Sequence, residues 1–348
     1  MNSIALIGNY GYLSNQLDGQ TVKTRNIRKL IQNKYEGNLE VFDTSYLKKN
    51  PLLLWKMFAL AAKCKNVIIV PADGFLDKMF TPIYHITKLC KNNLIHIGVG
   101  GWQKEFFIGQ EGKFKPHPTI MKKCKKITSF MVEIAKVKDD LQNELGFENL
   151  EYFPNFRFFT YVPNFECHQN QIRLVYMGRI NQKKGYETMG SVMTELSKRG
   201  VNASLDFYGQ VEGCDKNHFE HFIESNENIE YKGFLSPENI HETLGHYDAM
   251  VFPTKYYTEG FPGTVLDANI AGIPVIATNW KHAHEFITDN QSGIVVDFDN
   301  PTPGFVKSIE YLYKDNDALL QMKHEAREES NKYSEDSAWS ILSKYLEL

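Results

Sequence analysis

Residues 249–278 read AMVFPTKYYTEGFPGTVLDANIAGIPVIAT. The run 249–253 is apolar, of strand length and closed by proline, Gly263–Ala271 has the composition of a buried helix, and 274–278 is a second apolar run. Strand, helix and strand in so short a stretch make a βαβ unit, whose strands are parallel because the chain needs a crossover to return. Between the first strand and the helix, Gly260-Phe261-Pro262-Gly263 leaves amides open to close approach, and the helix points its N-terminus at them. Ligands of open parallel sheets sit beyond the carboxyl ends of the strands, so this loop is where chemistry is expected.

The same rhythm extends both ways. In the second half, runs at 173–176, 203–208, 229–232 and 294–296 read as further strands, with helices at 186–199, 218–225 and 237–245. In the first half, strands are expected at 3–8, 39–42, 67–71, 94–99, 126–130 and 151–153, with helices at 21–33, 52–63, 81–91 and 138–145. A polar, unpatterned stretch near 162–170 separates the halves, and residues 333–348 read as a closing helix. A chain of 348 residues is long for one core. The expectation is an α/β protein with two doubly wound parallel sheets in tandem: domains 1–165 and 166–332, with 333–348 as a terminal helix.

Composition narrows the function classes. With 42% hydrophobic and 23% charged residues each half can bury a core, which excludes general disorder. The N-terminus runs straight into a strand without a basic leader, and the longest apolar stretch, 51–62, is broken by Lys56; a cytoplasmic protein without a membrane span is expected. Five scattered cysteines without C-x-x-C spacing predict reduced thiols rather than disulfides or zinc. Residues 1–150 carry 22 Lys+Arg against 13 Asp+Glu, and the remainder 17 against 29. A basic first half, densest at Lys113, Lys115, Lys122, Lys123, Lys125 and Lys126, suits either contact with anionic lipid or an ordinary solvated face.

Two segments carry chemistry. Residues 176–185, YMGRINQKKG, follow a strand and open a helix, where Gly178 lets the backbone turn and Arg179 and Lys184 add fixed cations to an end that already favours anions. In the 249–278 stretch, Glu259 precedes the glycine turn and Asp267 lies in the helix, placing two hydroxyl-accepting carboxylates at E-x7-D spacing. On the residues alone Asp267 also reads as a helix acid and Glu259 as a loop acid.

Taken in order, Gly178-Arg179, Lys184-Gly185, Tyr231-Lys232-Gly233-Phe234, the run DAMVFP at 248–253, Glu259, Asp267 and GIPVIAT at 272–278 resemble the motif set of glycosyltransferase family 4. The resemblance implies a GT-B fold of two Rossmann-like domains facing a cleft, the C-terminal helix crossing back to the first, an acceptor-binding first domain and a nucleotide-sugar-binding second. It implies retaining, metal-independent transfer from a nucleoside-diphosphate sugar, with a UDP-sugar the expected donor, to a glycan or lipid-linked acceptor in bacterial surface polysaccharide synthesis. Arg179 and Lys184 match the positions that neutralise the leaving diphosphate, Glu259 the acid on the donor sugar, and Asp267 the acid on the ribose. Gly178, Phe234, Gly260, Phe261, Gly263, Thr264 and Val265 complete the expected donor site. Asp267 departs from the usual Glu and is one methylene shorter.

The first half resembles the family less closely. Its loop from Gly8 leads to Gly19 and Gln20, whose amides are candidates for diphosphate contact, but it is not a G-x-G-x-x-G pattern, and no dehydrogenase is expected. Asp73 stands where many members have histidine, and either orients the acceptor or caps the next helix; Trp102, after the next strand, either lines the acceptor pocket or is core. Peripheral contact with anionic membrane is one expected partner and nucleic acid is not. Another GT-B enzyme, such as an epimerase or a phosphorylase, and a silent nucleotide-sugar binding protein stay open as alternatives.

Overall fold

In a computed structural model of the chain, residues 3–13 and 18–347 are described, Asp73 by its backbone alone. The chain forms two compact units, Met1–Arg157 with Ser334–Leu348, and Phe158–Tyr333.

In the first unit the strands are β1 (Ser3–Gly8), β2 (Asn38–Asp43), β3 (Asn66–Val70), β4 (Asn93–Ile97), β5 (Ser129–Val132) and β6 (Leu150–Tyr152). They form a parallel sheet in the order β2-β1-β3-β4-β5-β6. Its central strands are continuous apolar runs: every residue of β3 is buried, and Ile4, Ala5, Leu6 and Ile7 are fully enclosed. That is the composition a sheet covered on both faces requires.

The second unit holds β7 (Ile172–Met177), β8 (Ala203–Tyr208), β9 (Ile229–Gly233), β10 (Ala249–Phe252), β11 (Val275–Thr278) and β12 (Gly293–Val296). Their order is β12-β11-β10-β7-β8-β9, again parallel. The chain winds outward from β7 in one direction to β9, then returns and winds the other way from β10. The reversal therefore falls between β7 and β10, where Ala249 pairs with Leu174 and Met250 with Val175, and a crevice opens at the carboxyl ends of such a strand pair.

Several boundaries differ from the sequence reading. The units divide at Arg157 and Phe158 rather than after 165, because 158–165 packs on the second unit: Arg327 Nη2 donates to the Tyr161 carbonyl at 3.3 Å, and the rings of Phe165 and His324 lie 3.9 Å apart. The fifth strand is Ser129–Val132, not 126–130. The helix expected from 81 starts at Asp73 and runs to Cys90 with Pro82 inside it. Proline at 82 leaves the Lys78 carbonyl without its helical donor, and the buried face of Leu76, Phe80 and Ile83 holds the helix through that gap. Helices Gln103–Ile108, Pro118–Cys124, Ala283–Phe286, Pro301–Lys314 and Asn316–Ser330 went unread.

The C-terminal segment is tied into the first unit. Lys34 Nζ donates to Asp336 at 2.6 Å, Asn66 exchanges two 2.9 Å hydrogen bonds with the Glu347 backbone, and Tyr345 OH donates to Glu151 at 2.8 Å. In the second unit Asp248, fully buried at the foot of β10, accepts from the Arg173 amide at 2.8 Å and pairs with His168 at 2.9 Å, fastening the start of β7 to β10.

Candidate functional site

Two loops frame the switch point of the second sheet. The loop after β7 begins at Gly178, whose amide donates to the Tyr208 carbonyl at 3.0 Å. A Cβ on Gly209 would lie 1.8 Å from the Gly178 carbonyl oxygen, so the loops after β7 and β8 approach as only a glycine permits. Asn181 accepts from the Lys184 amide at 3.0 Å and turns the chain. Gly185 then takes a positive φ of 73°, and a Cβ there would stand 1.8 Å from the Pro253 carbonyl. The Lys255 amide donates to the Lys183 carbonyl at 2.9 Å, joining this loop to the one after β10.

That juncture places Lys184 Nζ 2.6 Å from Glu259 Oε2, both side chains 15% exposed. Lys184 also lies over the Phe252 ring, 5.6 Å from its centre. Thr254 Oγ1 donates to Glu259 at 3.4 Å, and the Thr254 carbonyl accepts from Thr278 Oγ1 at 2.6 Å. Beneath them Tyr176 is buried, its hydroxyl donating to the Arg179 carbonyl at 2.8 Å; burial, with the Glu259 charge nearby, raises its phenol above the ordinary range and keeps it neutral.

Arg179 stands at the rim, 53% exposed, with Nη1 3.2 Å from Glu212. An exposed pair of this kind is worth at most about 1 kcal/mol, so the guanidinium exchanges Glu212 for a stronger anion at small cost. Glu212, Cys214 and Asp215 converge closely enough to hold a metal ion, the one such group among the described residues. Glu212 already faces Arg179, however, and Cys214 Sγ donates to Asp215 at 3.2 Å.

The helix Gly263–Ala271 has no side-chain cap, and its hydrogen bonds to Pro262 begin at Val265, so the Gly263 and Thr264 amides lie in the turn ahead of them. Phe261 is 3% exposed with its ring stacked on Phe286 at 4.0 Å, and Val265 is fully buried. Neither side chain is open to a ligand. Phe234, after the positive-φ Gly233, is 61% exposed.

Asp267 is 4% exposed, and its Oδ1 lies 3.3 Å from His241 Nε2. Sequence reading did not single out His241 or Gly209. The glycine could have been found as a strand-end glycine, as Gly178 is after β7; nothing in the sequence couples His241 to a helix 26 residues on.

In the first unit, Gly19 and Gln20 open the helix Gly19–Lys34 behind a reciprocal cap in which Asp18 accepts from the Thr21 amide at 2.9 Å and Thr21 Oγ1 accepts from the Asp18 amide at 3.0 Å. A carboxylate thus already sits at that N-terminus, and Gln20 Nε2 donates to the Val70 carbonyl at 3.3 Å. Part of the loop before it, 14–17, and the Asp73 side chain lie outside the described residues. Trp102 is half-buried: Nε1 donates to the Val99 carbonyl at 2.7 Å and the ring packs edge-on against Phe106 at 5.5 Å. Its loop is anchored by Glu133, which accepts from the Gly100 amide at 2.8 Å while paired with the buried Lys23 at 3.0 Å.

Residues 162–329 match the family described as glycosyl transferases, group 1. The group 1 glycosyl transferase match contains all of β7–β12 with both site loops. Among curated relatives, an uncharacterized 41.2 kDa protein in the cps region of Klebsiella pneumoniae is 26% identical over 137 residues, 39% of this chain and 35% of that protein. The capsular polysaccharide biosynthesis glycosyltransferase CapM of Staphylococcus aureus is 25% identical over 174 residues, 48% of this chain and 43% of CapM. These alignments span less than half of the relatives' own length. Anabaena HepE, solved with UDP and glucose, superposes with a TM-score of 0.71 over the whole of both chains at 12% identity. The fold is GT-B: two six-stranded parallel sheets with their helices.

Proposed function

We propose that this protein is a retaining glycosyltransferase that moves a sugar from a nucleoside-diphosphate sugar, a UDP-sugar first among them, to a hydroxyl of a glycan or lipid-linked acceptor in surface polysaccharide synthesis. The observation that carries the proposal is the Lys184–Glu259 pair at the switch point of the second sheet. A cation for a phosphate and an acid for a sugar hydroxyl stand side by side where that fold presents its ligand. The match to group 1 glycosyl transferases and the CapM relationship support the same reading.

When the bond from the anomeric carbon to the diphosphate oxygen breaks, the electron pair leaves with the diphosphate. Lys184 and Arg179 stabilise that charge, and Glu259 holds the sugar whose ring becomes positive. The acceptor oxygen bonds to the anomeric carbon on the face the diphosphate leaves, and its proton passes to a diphosphate oxygen, which retains configuration without a protein nucleophile. The two side chains act where a divalent ion acts in other transferases, so turnover is expected to persist in EDTA. Asp267, held by His241, takes the ribose hydroxyls, and the Gly263 and Thr264 amides take phosphate oxygens.

The basic cluster of the first unit, in which Lys113, Lys115, Lys122 and Lys126 are exposed, is proposed to meet anionic lipid. Flotation with liposomes that ignores their anionic content removes that part.

The transfer is tested by incubating the protein with UDP-sugars and lipid-linked saccharides in EDTA, following UDP release and the anomeric proton of the product. An α-donor giving an α-product supports the proposal. Inverted product refutes retention, and donor converted without any acceptor points to an epimerase.

A further inference from the structure

The turn and helix between β2 and β3 are apolar on the outside as well as the inside. Asn50 accepts from the Leu52 amide at 3.1 Å, and Pro51 opens a turn that runs into the helix Leu54–Lys63. Met57, Leu60 and Ala61 are buried, as the inner face of a surface helix requires. On the outer face Leu52 is 75% and Trp55 76% exposed, and exposed Ala59 and Ala62 follow at helical spacing. One exposed leucine is ordinary. A helix apolar all round is one that something covers, and its 10 residues are too few to cross a bilayer.

Charge decides what covers it. Residues 44–72 hold five lysines and no aspartate or glutamate. Lys63 and Lys65 pair with Glu40 and Glu347, each at 3.2 Å, while Lys48, Lys49 and Lys56 stand exposed beside the apolar stripe. A second copy laid face to face sets these lysines against their own counterparts, because a patch on a two-fold axis meets itself. An anionic bilayer does the reverse: its headgroups pair with the lysines, and the leucine and tryptophan sink just beneath them, at the depth tryptophan favours.

The winding of the sheet points the same way. β2 leads to β3, β3 to β4 and β4 to β5 always in one direction across the sheet, so right-handed crossovers put the connecting helices on one face. The helix Leu54–Lys63 packs on Asp73–Cys90, and that helix on Pro118–Cys124, where Lys123 Nζ donates to Thr81 Oγ1 at 3.1 Å. The apolar stripe and the exposed Lys122 thus belong to one helical layer. We infer that this layer docks on an anionic bilayer, with Leu52 and Trp55 inserted at the acyl boundary and Lys48, Lys49 and Lys56 among the headgroups. The inference rests on the membrane contact proposed above for the bilayer alone; the anchor is a different one, and sugar transfer does not enter.

Sedimentation of the full chain with phosphatidylcholine vesicles, with and without phosphatidylglycerol, tests this. Phospholipids brominated on their acyl chains report depth by quenching tryptophan fluorescence, and of the four tryptophans Trp55 alone is exposed. The native chain is expected to bind the vesicles that contain phosphatidylglycerol and to be quenched by them. Trp55→Phe keeps the binding and loses the quenching. Leu52→Ser with Trp55→Ser weakens binding by about tenfold or more, and so does joint replacement of Lys48, Lys49 and Lys56 by glutamine. All five side chains are exposed, and melting temperatures check that the variants fold. Absence of vesicle binding, binding indifferent to Leu52→Ser with Trp55→Ser, quenching that survives Trp55→Phe, or a native dimer that Trp55→Ser dissociates overturns the inference. Lys122→Gln with Lys126→Gln separates the two membrane readings. Binding lost in that variant alone refutes the anchor and leaves the basic cluster standing; binding lost in the Leu52 and Trp55 variant alone does the opposite.

Discussion

Lys184 Nζ and Glu259 Oε2 lie 2.6 Å apart although 75 positions separate them in the chain. They are joined because β7 and β10 are neighbours and because Gly185, at a φ of 73°, lets one loop pass against the carbonyl of Pro253 in the other. In the absence of donor the two charges satisfy each other. Under the proposed function a bound nucleotide sugar would take both, phosphate to the lysine and sugar hydroxyl to the carboxylate.

The two acids of the second unit are not equivalent. The Glu259 side chain is 15% exposed, and the proposed function sets it against the sugar, whereas Asp267 is 4% exposed and held by His241. Glu259→Ala is expected to lower kcat by on the order of 10²–10³, while Asp267→Ala and His241→Ala chiefly raise KM for the donor. Steady-state kinetics check this, and the reverse ranking shows the donor to be misplaced.

Gly185→Ala sets a Cβ 1.8 Å from the Pro253 carbonyl and holds a side chain at positive φ. Gly200→Ala has nearly the same φ, 72°, but open space around the added carbon. Gly200→Ala is expected to cost about 1 kcal/mol, and Gly185→Ala clearly more, together with loss of activity. Urea titrations of the two variants side by side read the difference; equal midpoints refute the close approach.

Much of the fold is legible because both sheets are covered on both faces, so their strands are apolar runs bounded by turn residues. β3, as NVIIV, and β10, as AMVF, are found on that ground alone. Strand order is not, since nothing local says that β10 pairs with β7 rather than β9. The helix Pro301–Lys314 had a signal in Phe305, Val306, Ile309 and Leu312, all on its buried face. The short helix Gln103–Ile108 had almost none, because six residues hold less than two turns. At the candidate site, Arg179, Lys184, Glu259 and Asp267 were legible through the resemblance of the ordered motifs to glycosyltransferase family 4. Contacts made by tertiary packing, His241 on Asp267 and Glu212 on Arg179, were invisible for that reason.

His96 is fully buried in β4, its ring stacked on Phe130 at 3.9 Å, and burial lowers its pKa to about 3. The unfolded chain protonates this group near pH 6.5, so between these values the unfolded state binds more protons and stability is lost as pH falls. The His96 share approaches about 1.4 kcal/mol per pH unit. Denaturant titrations from pH 6.5 to pH 4 should show a steeper fall for the native protein than for His96→Leu; parallel slopes contradict the buried neutral imidazole.

Lys23 directs its ammonium to Glu133, the Gly98 carbonyl and the Phe153 carbonyl at 3.0–3.2 Å, within a closed interior. Lys23→Met leaves Glu133 buried without that partner and is expected to cost about 3–5 kcal/mol. Lys23→Met with Glu133→Leu should recover part of that loss, which thermal unfolding of the two variants measures.

The most direct test of the account is calorimetric titration of UDP into the native protein and into Arg179→Ala and Lys184→Ala. The account predicts saturable binding that each variant weakens by about tenfold or more, with unchanged melting temperatures. UDP bound as tightly by both variants as by the native chain would contradict it.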